Sequence, residues 1–343
     1  MTIQSNPPVA SVCGRPNGKD SNLKSASTLI AAMALSFCVA LPTLAQETRS
    51  FTDDAGRTVD IPTAPLRIVS LHDLSITVPL LELGVTPVGS HGRTTAEGVP
   101  FIRSSDVLTG IDFDNSEIQF VGNLPADVEA VAALEPDLII TTPWQSAPIE
   151  QIEVIAPTVV LDDTSRGDFG MYDVLAEITG TEDRLTILKS RYEGQIAQIK
   201  RLIDTGSISV NVIQGVDGQV LSWHTYGALG RVLRDAGFTF PERVEAIPEG
   251  EFERMSAEAL PELDADFVFV TYRTDTLETP ADAIGHLEAV MPGFCDFLHA
   301  CRENQMIVMP REEASASSYY GLGVLAYTVI SHISGRRFVP LAD

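Results

Sequence analysis

The apolar residues Leu185, Leu188, Tyr192, Ile196, Ile199 and Ile203 recur at three- and four-residue steps along TEDRLTILKSRYEGQIAQIKRLID, Thr181 to Asp204. That spacing puts them on one face of an α-helix. Thr181 stands where it can cap the start, and Glu182 and Asp183 suit the positive end of the helix dipole. Lys200 and Arg201 fall in the last turn, with Gly206 beyond it. At 1.5 Å per residue such a helix is roughly 35 Å long, about the width of a small domain. Stretches of similar size lie on either side, each alternating short apolar runs with helical patterns. The expected organisation is two α/β lobes, 46–180 and 205–343, joined by one long helix at 181–204. The alternative is a long surface helix inside a single domain.

Before that helix, FTDDAGRTVDIP (Phe51 to Pro62) carries alternation and turn chemistry and predicts a hairpin. Arg67–Leu71 is a short buried strand, and Asp73 can cap a helix through Leu74, Val78, Leu81 and Leu83. A strand starts at Pro87–Ser90. From His91 to Glu117 the pattern is irregular and polar, with Arg93 and Arg103 embedded in it, and a loop that long is usually functional. Strands at 119–122, Pro136–Thr141 and Thr158–Leu161 alternate with helices near Ala126–Leu134 and Ile149–Ile155. Trp144 follows the middle one. After the long helix come strands at Ile208–Gln214, Gln219–Trp223, Asp266–Thr271 and Met306–Met309. Helices interleave near Tyr226–Ala236, Ser256–Leu260, Ile284–Met291 and Ser315–Ile333. This alternation predicts two Rossmann-like lobes with mainly parallel sheets. Ligands bind such sheets beyond the carboxyl ends of the strands.

Charge removes one class of function. Lys and Arg number 23 against 47 Asp and Glu, a net charge of -24, and no basic block interrupts the acidity. Nucleic-acid binding is therefore not expected. Arg15, Lys19 and Lys24 precede the apolar run Leu29–Leu41, which is short for a membrane span, and Pro42–Ala45 offers a small-residue cleavage site. A signal peptide over 1–45 and export to the periplasm are expected. Cleavage there removes three cations and one anion, so the charge becomes -26. Cys38 admits a lipoprotein reading, but Phe37 stands before it where a small residue is required. Cys295 and Cys301 remain, and in an exported protein two cysteines six positions apart suggest a disulfide, with a pair of buried thiols as the alternative. Only His299 lies near them, too few ligands for structural zinc.

The residues also carry a resemblance. Ala64-Pro65-Leu66-Arg67-Ile68-Val69-Ser70-Leu71, Leu83-Gly84-Val85-Thr86-Pro87-Val88-Gly89, and Asp127-Val128-Glu129 running into Leu134-Glu135-Pro136-Asp137-Leu138-Ile139 resemble the periplasmic binding proteins of ABC importers for ferric siderophores and vitamin B12. Met255-Ser256-Ala257-Glu258 and Leu263-Asp264-Ala265-Asp266-Phe267-Val268-Phe269 match in the second half. The resemblance covers nearly all of the chain after residue 45. It implies two lobes bridged by one long helix, limited flexing, and a ligand held in the cleft. It also implies a monomer that hands its ligand to an inner-membrane permease, with one glutamate per lobe, Glu129 and Glu258, meeting permease arginines. Dipole stabilisation at a helix start is the alternative role for both.

A ferric siderophore needs aromatic walls and a few firm donors, and arginine suits carboxylate or metal-bound oxygen through its paired N–H groups. The candidates by position are Arg93, Trp144, Trp223, Tyr272, Arg273, Tyr319 and Tyr320, the last two at the start of the terminal helix where hydroxamate-binding relatives place aromatic contacts. His224 and Tyr226 are weaker candidates, and Tyr226 is better explained as a core cap. Arg273 has Asp275 beside it as a partner. His72 and His91 lack companions at metal-ligand spacing. No resident cofactor is expected, iron entering only within the siderophore. Gly-x-Ser-x-Gly, phosphate-loop and His-Glu-x-x-His patterns are missing, so an enzyme is not expected. A cobalamin or haem carrier of the same fold is the nearer alternative.

Overall fold

The computed structural model describes residues 46–167 and 169–342; the export segment expected at 1–45, with Cys38, lies outside them. Strands Thr48–Thr52 (β1) and Thr58–Pro62 (β2) form the expected hairpin. The first lobe is then built on Ile68–Ser70 (β3) and Gly89–Ser90 (β4). A small hairpin of Arg93–Thr94 (β5) and Pro100–Phe101 (β6) interrupts it before Gln119–Phe120 (β7), Leu138–Thr141 (β8) and Thr158–Val160 (β9). The sheet order is β7-β4-β3-β8-β9, and every pair is parallel. Its central strands β3 and β8 are buried at every position, as a sheet covered on both faces requires.

The second lobe holds Val210–Val216 (β10), Gln219–Trp223 (β11), Phe252–Met255 (β12), Phe267–Tyr272 (β13) and Met306–Pro310 (β14), in the order β12-β11-β10-β13-β14. This sheet is mixed. β10, β13 and β14 are parallel, and β11 alone is reversed, pairing antiparallel with both β10 and β12. The cause is the two-residue turn Asp217–Gly218, whose φ values of 52° and 74° are those of a primed hairpin turn that sends the chain straight back.

The helix joining the lobes is Glu182–Leu202, and Leu185, Leu188, Tyr192, Ile196 and Ile199 are its buried face. Thr181 makes no side-chain cap bond, its hydroxyl pairing instead with that of Thr179 at 2.9 Å. The lobes share more than this helix. One continuous core runs from Ile68 and Leu138 of the first sheet through Tyr172, Leu175 and Leu188 to Val212, Phe269 and Leu325 of the second lobe. From Gln46 onward the chain forms one compact unit.

A polar strut reinforces the junction. The terminal helix, Tyr319–Ile333, starts later than the apolar pattern predicts because Ser318 caps it through Gly321 N–H at 3.0 Å. Its first N–H groups, Tyr319 and Tyr320, donate at 2.9 and 2.8 Å to the carboxylate of Glu82 in the first lobe, which also accepts from the Ser318 and Tyr172 hydroxyls. A carboxylate facing a helix N-terminus is a favourable pairing. Separating the lobes at this point breaks the three bonds from Ser318, Tyr319 and Tyr320, since Tyr172 belongs to the same lobe as Glu82.

Cys295 and Cys301 are joined in a disulfide with Cα atoms 5.0 Å apart. Unreduced, denatured protein should therefore resist thiol alkylation. Cys295→Ser should cost about 2 kcal/mol, since a loop this short restricts the unfolded chain only modestly. Labelling of both thiols without reductant would refute the bond in solution.

Candidate functional site

The parallel strands of both sheets end toward the junction between the lobes, and the side chains that follow them meet there. After β3 come His72 and Asp73. His72, rather than Asp73, caps the next helical turn, its Nδ1 accepting from Ser75 N–H at 3.0 Å. Asp73 instead turns inward and is fully buried. It accepts from Arg103 Nε at 2.8 Å and lies 3.4 Å from His91 Nδ1. The His72 and His91 rings stack 5.9 Å apart. Burial opposes the Asp73 charge, but the hydrogen bonds from Arg103 and His91 prevail and hold this carboxyl well below the usual range. Burial also lowers the His72 imidazole, against the pull of Asp73.

The stretch from His91 to Glu117 is the piece that sequence periodicity left irregular. Gly92 lets it fold back: a Cβ there would sit 2.7 Å from both the Phe101 carbonyl oxygen and the Phe113 ring. The β5–β6 hairpin then pairs Arg93 with Phe101 and brings Arg103 beside them. In the second lobe β13 and β14 end in register, Tyr272 opposite Pro310, so Arg273 and Arg311 emerge side by side. Between the lobes lies a cavity of about 280 Å³, walled by Arg93, Phe101 and Arg103 on one side and Arg273, Asp275, Arg311 and Glu312 on the other. Arg273 forks onto Asp275 at 3.0 and 2.7 Å, which holds the Asp275 carboxyl below its ordinary range. Glu312 accepts from the Thr274 and Asp275 N–H groups. Among the described residues, neither Arg93 nor Arg311 has an ion-pair partner. A wider groove of about 630 Å³, between Arg57, Asp60, Glu153 and Thr158, belongs to the first lobe alone and has no aromatic wall.

Of the residues expected to bind ligand, the structure brings Arg93 and Arg273 into this cavity. Tyr272 stands half-buried at the end of β13 beside it. Trp144 follows β8, is 62% exposed, and donates from Nε1 to Asp163 at 3.2 Å. Tyr320 is exposed at the start of the terminal helix and does not line the cavity. Two others do not line the cavity either. Trp223 is half-buried at the end of the antiparallel strand β11, its ring packed on Tyr226 and Phe252. Tyr319 is only 7% exposed, held edge-on between Phe169 and Tyr172 at 5.3 and 4.9 Å. Burial, then the charge of Asp173, pushes its hydroxyl up to about 12.

Sequence reasoning left Arg103, Arg311 and Glu312 out of the site. The signal for the last two was present: Arg311-Glu312-Glu313 directly follows the final strand, the same position that singled out Trp144. Arg103 lies in an aperiodic loop, and nothing local connects it to Asp73. Among the described residues no group of three or more His, Cys, Asp or Glu could hold a metal ion, and no helix is long and apolar enough to cross a membrane.

A family model described as periplasmic binding protein matches residues 114–312. A probable siderophore-binding lipoprotein of Bacillus subtilis, YfiY, is 28% identical over 265 residues, covering 72% of this chain and 78% of that protein. The iron(3+)-hydroxamate-binding protein YxeB of the same organism is 28% identical over 235 residues, covering 66% and 67%. Among solved structures, Staphylococcus aureus SirA complexed with staphyloferrin B superposes with a TM-score of 0.67 at 21% identity, over 83% of this chain and 98% of that one. At that identity the likeness is one of fold.

Proposed function

The chain belongs to the periplasmic binding protein family, and from that premise we propose that it captures a ferric siderophore in the inter-lobe cleft and delivers it to an ABC permease of the inner membrane. The observation that carries the reading is the cavity itself. It lies where the strands of both lobes end, and its walls combine an aromatic ring with several guanidinium groups in an otherwise acidic protein. Oxygen-rich chelates need that combination of donors and flat apolar surface. The names of the relatives, siderophore-binding and iron(3+)-hydroxamate-binding, support it.

In this reading the lobes are 46–180 and 205–343, the helix at 181–204 spaces them, and the protein acts as an exported monomer without a catalytic step. Arg93, Arg273, Tyr272 and Trp144 contact or flank the ligand, and Tyr320 sits at its margin. Glu129 and Glu258 dock the permease. Both are exposed, one in the first turn of the helix Val128–Ala133 and the other in the first turn of Ala257–Leu263, and among the described residues neither forms an ion pair.

Titrating the protein with ferric siderophores should quench its tryptophan fluorescence saturably. Trp144→Phe should remove most of that signal, because Trp144 stands exposed beyond β8 whereas Trp223 is half-buried against Tyr226 and Phe252. Haem or cobalamin absorbance co-purifying with the protein, without a siderophore response, would overturn the reading.

A further inference from the structure

Four of the 23 Lys and Arg residues of a chain with net charge -24 converge on one cavity. Two are already committed: Arg103 to buried Asp73, and Arg273 to Asp275. Arg93 and Arg311 are not. They belong to opposite lobes, and Glu312, on the same wall as Arg311, accepts from the N–H groups of Thr274 and Asp275. Burial and then the like charge of Arg103 depress the Arg93 guanidinium from its ordinary value, with Arg273 adding to the repulsion and Asp73 and Asp275 opposing it. The cavity walls thus set four guanidinium groups against the carboxylates of Asp275 and Glu312, and a ligand between them changes their energy according to its own charge.

The three main siderophore chemistries differ at this point. A neutral trishydroxamate chelate would strip water from Arg93 and Arg311 without supplying an anion, which is costly for a charged group. A tricatecholate carries its negative charge on iron-bound oxygens behind aromatic rings and wants flat walls, yet Phe101 is the one aromatic lining the cavity among the described residues. Free carboxylates at the edge of a chelate match a guanidinium fork bond for bond. Resting on the siderophore reading above, we propose that this cleft selects carboxylate-bearing, polyanionic ferric chelates of the α-hydroxycarboxylate (citrate-derived) class, with Arg93 and Arg311 each gripping a carboxylate from its own lobe.

Calorimetric titration of the whole protein with ferric dicitrate (two citrates on one iron, with carboxylates left off the metal), the neutral trishydroxamate ferrichrome and ferric enterobactin tests this. Ferric dicitrate should bind tightest, and raised salt should weaken it most. Arg93→Gln and Arg311→Gln should each weaken it by roughly 10- to 100-fold, a loss larger than either causes for ferrichrome. Neither substitution removes an ion pair, so both variants should melt with the parent protein, and that comparison guards against a folding artefact. Tighter binding of ferrichrome or ferric enterobactin, or equal losses for all three chelates, overturns the carboxylate assignment and leaves the siderophore reading standing. Binding of none of the three overturns both.

Discussion

Arg103→Ala is expected to destabilise the protein by about 3–5 kcal/mol, a fall in Tm on the order of 10 °C for a chain of this size. The substitution strands the Asp73 carboxylate, which is fully buried and otherwise has only His91 Nδ1 at 3.4 Å and nearby backbone N–H groups. Asp73→Ala should cost less. The Arg103 side chain is 22% exposed and faces the cavity, so once freed it can turn into water. Acid should expose the same asymmetry. Although burial opposes it, the Asp73 carboxyl titrates far below its unfolded value. Its contribution is thus complete above an aspartate pKa of about 3.9 and is withdrawn as pH falls below that. The gap between parent and Arg103→Ala should narrow there, because the variant's carboxyl accepts a proton readily. Equal losses for the two alanine variants at pH 7, or a gap that widens in acid, would show that the pair does not behave as a buried ion pair.

That pair also marks the limit of what the sequence displays. The linker helix is legible because its stripe of Leu185, Leu188, Tyr192, Ile196 and Ile199 obeys a local period, and the structure buries those same residues. The parallel strands are legible because burial on both faces demands unbroken apolar runs. The cleft has no such period. Arg103 reaches Asp73 across thirty positions of chain, through a hairpin that depends on the missing Cβ of Gly92. Trp223 marks a second limit: a strand end points to a cleft where strands are parallel, and the Asp217–Gly218 turn that reverses β11 leaves no trace in the apolar pattern. Tyr319 stands at a helix start, where its N–H is held by the Glu82 strut and its ring packs edge-on against Tyr172. Side-chain direction there is decided by a carboxylate 237 positions away.

Reversing both proposed docking charges, Glu129→Arg with Glu258→Arg, is expected to abolish siderophore uptake while leaving siderophore affinity nearly unchanged. Both side chains are exposed and neither lines the cavity, so the cleft should not register the change. Each opens a helical turn, where a carboxylate is favoured by the dipole and an arginine gives up that interaction. The double variant should thus fold with a small loss of stability. Docking is another matter. A rim carboxylate facing a complementary cation steers encounter, and its reversal sets like charges against each other, which slows association and penalises the complex. Each single reversal should give a partial loss, since the two sites act on separate lobes. In vesicles carrying the cognate permease, salt should weaken docking of the parent protein, because exposed charges are screened over about 10 Å at 0.1 M. If the role of these glutamates were only to stabilise their own helices, the folded double variant would still support normal uptake. If they served the ligand, affinity would fall together with transport. Measuring binding and uptake on the same preparation separates the three cases.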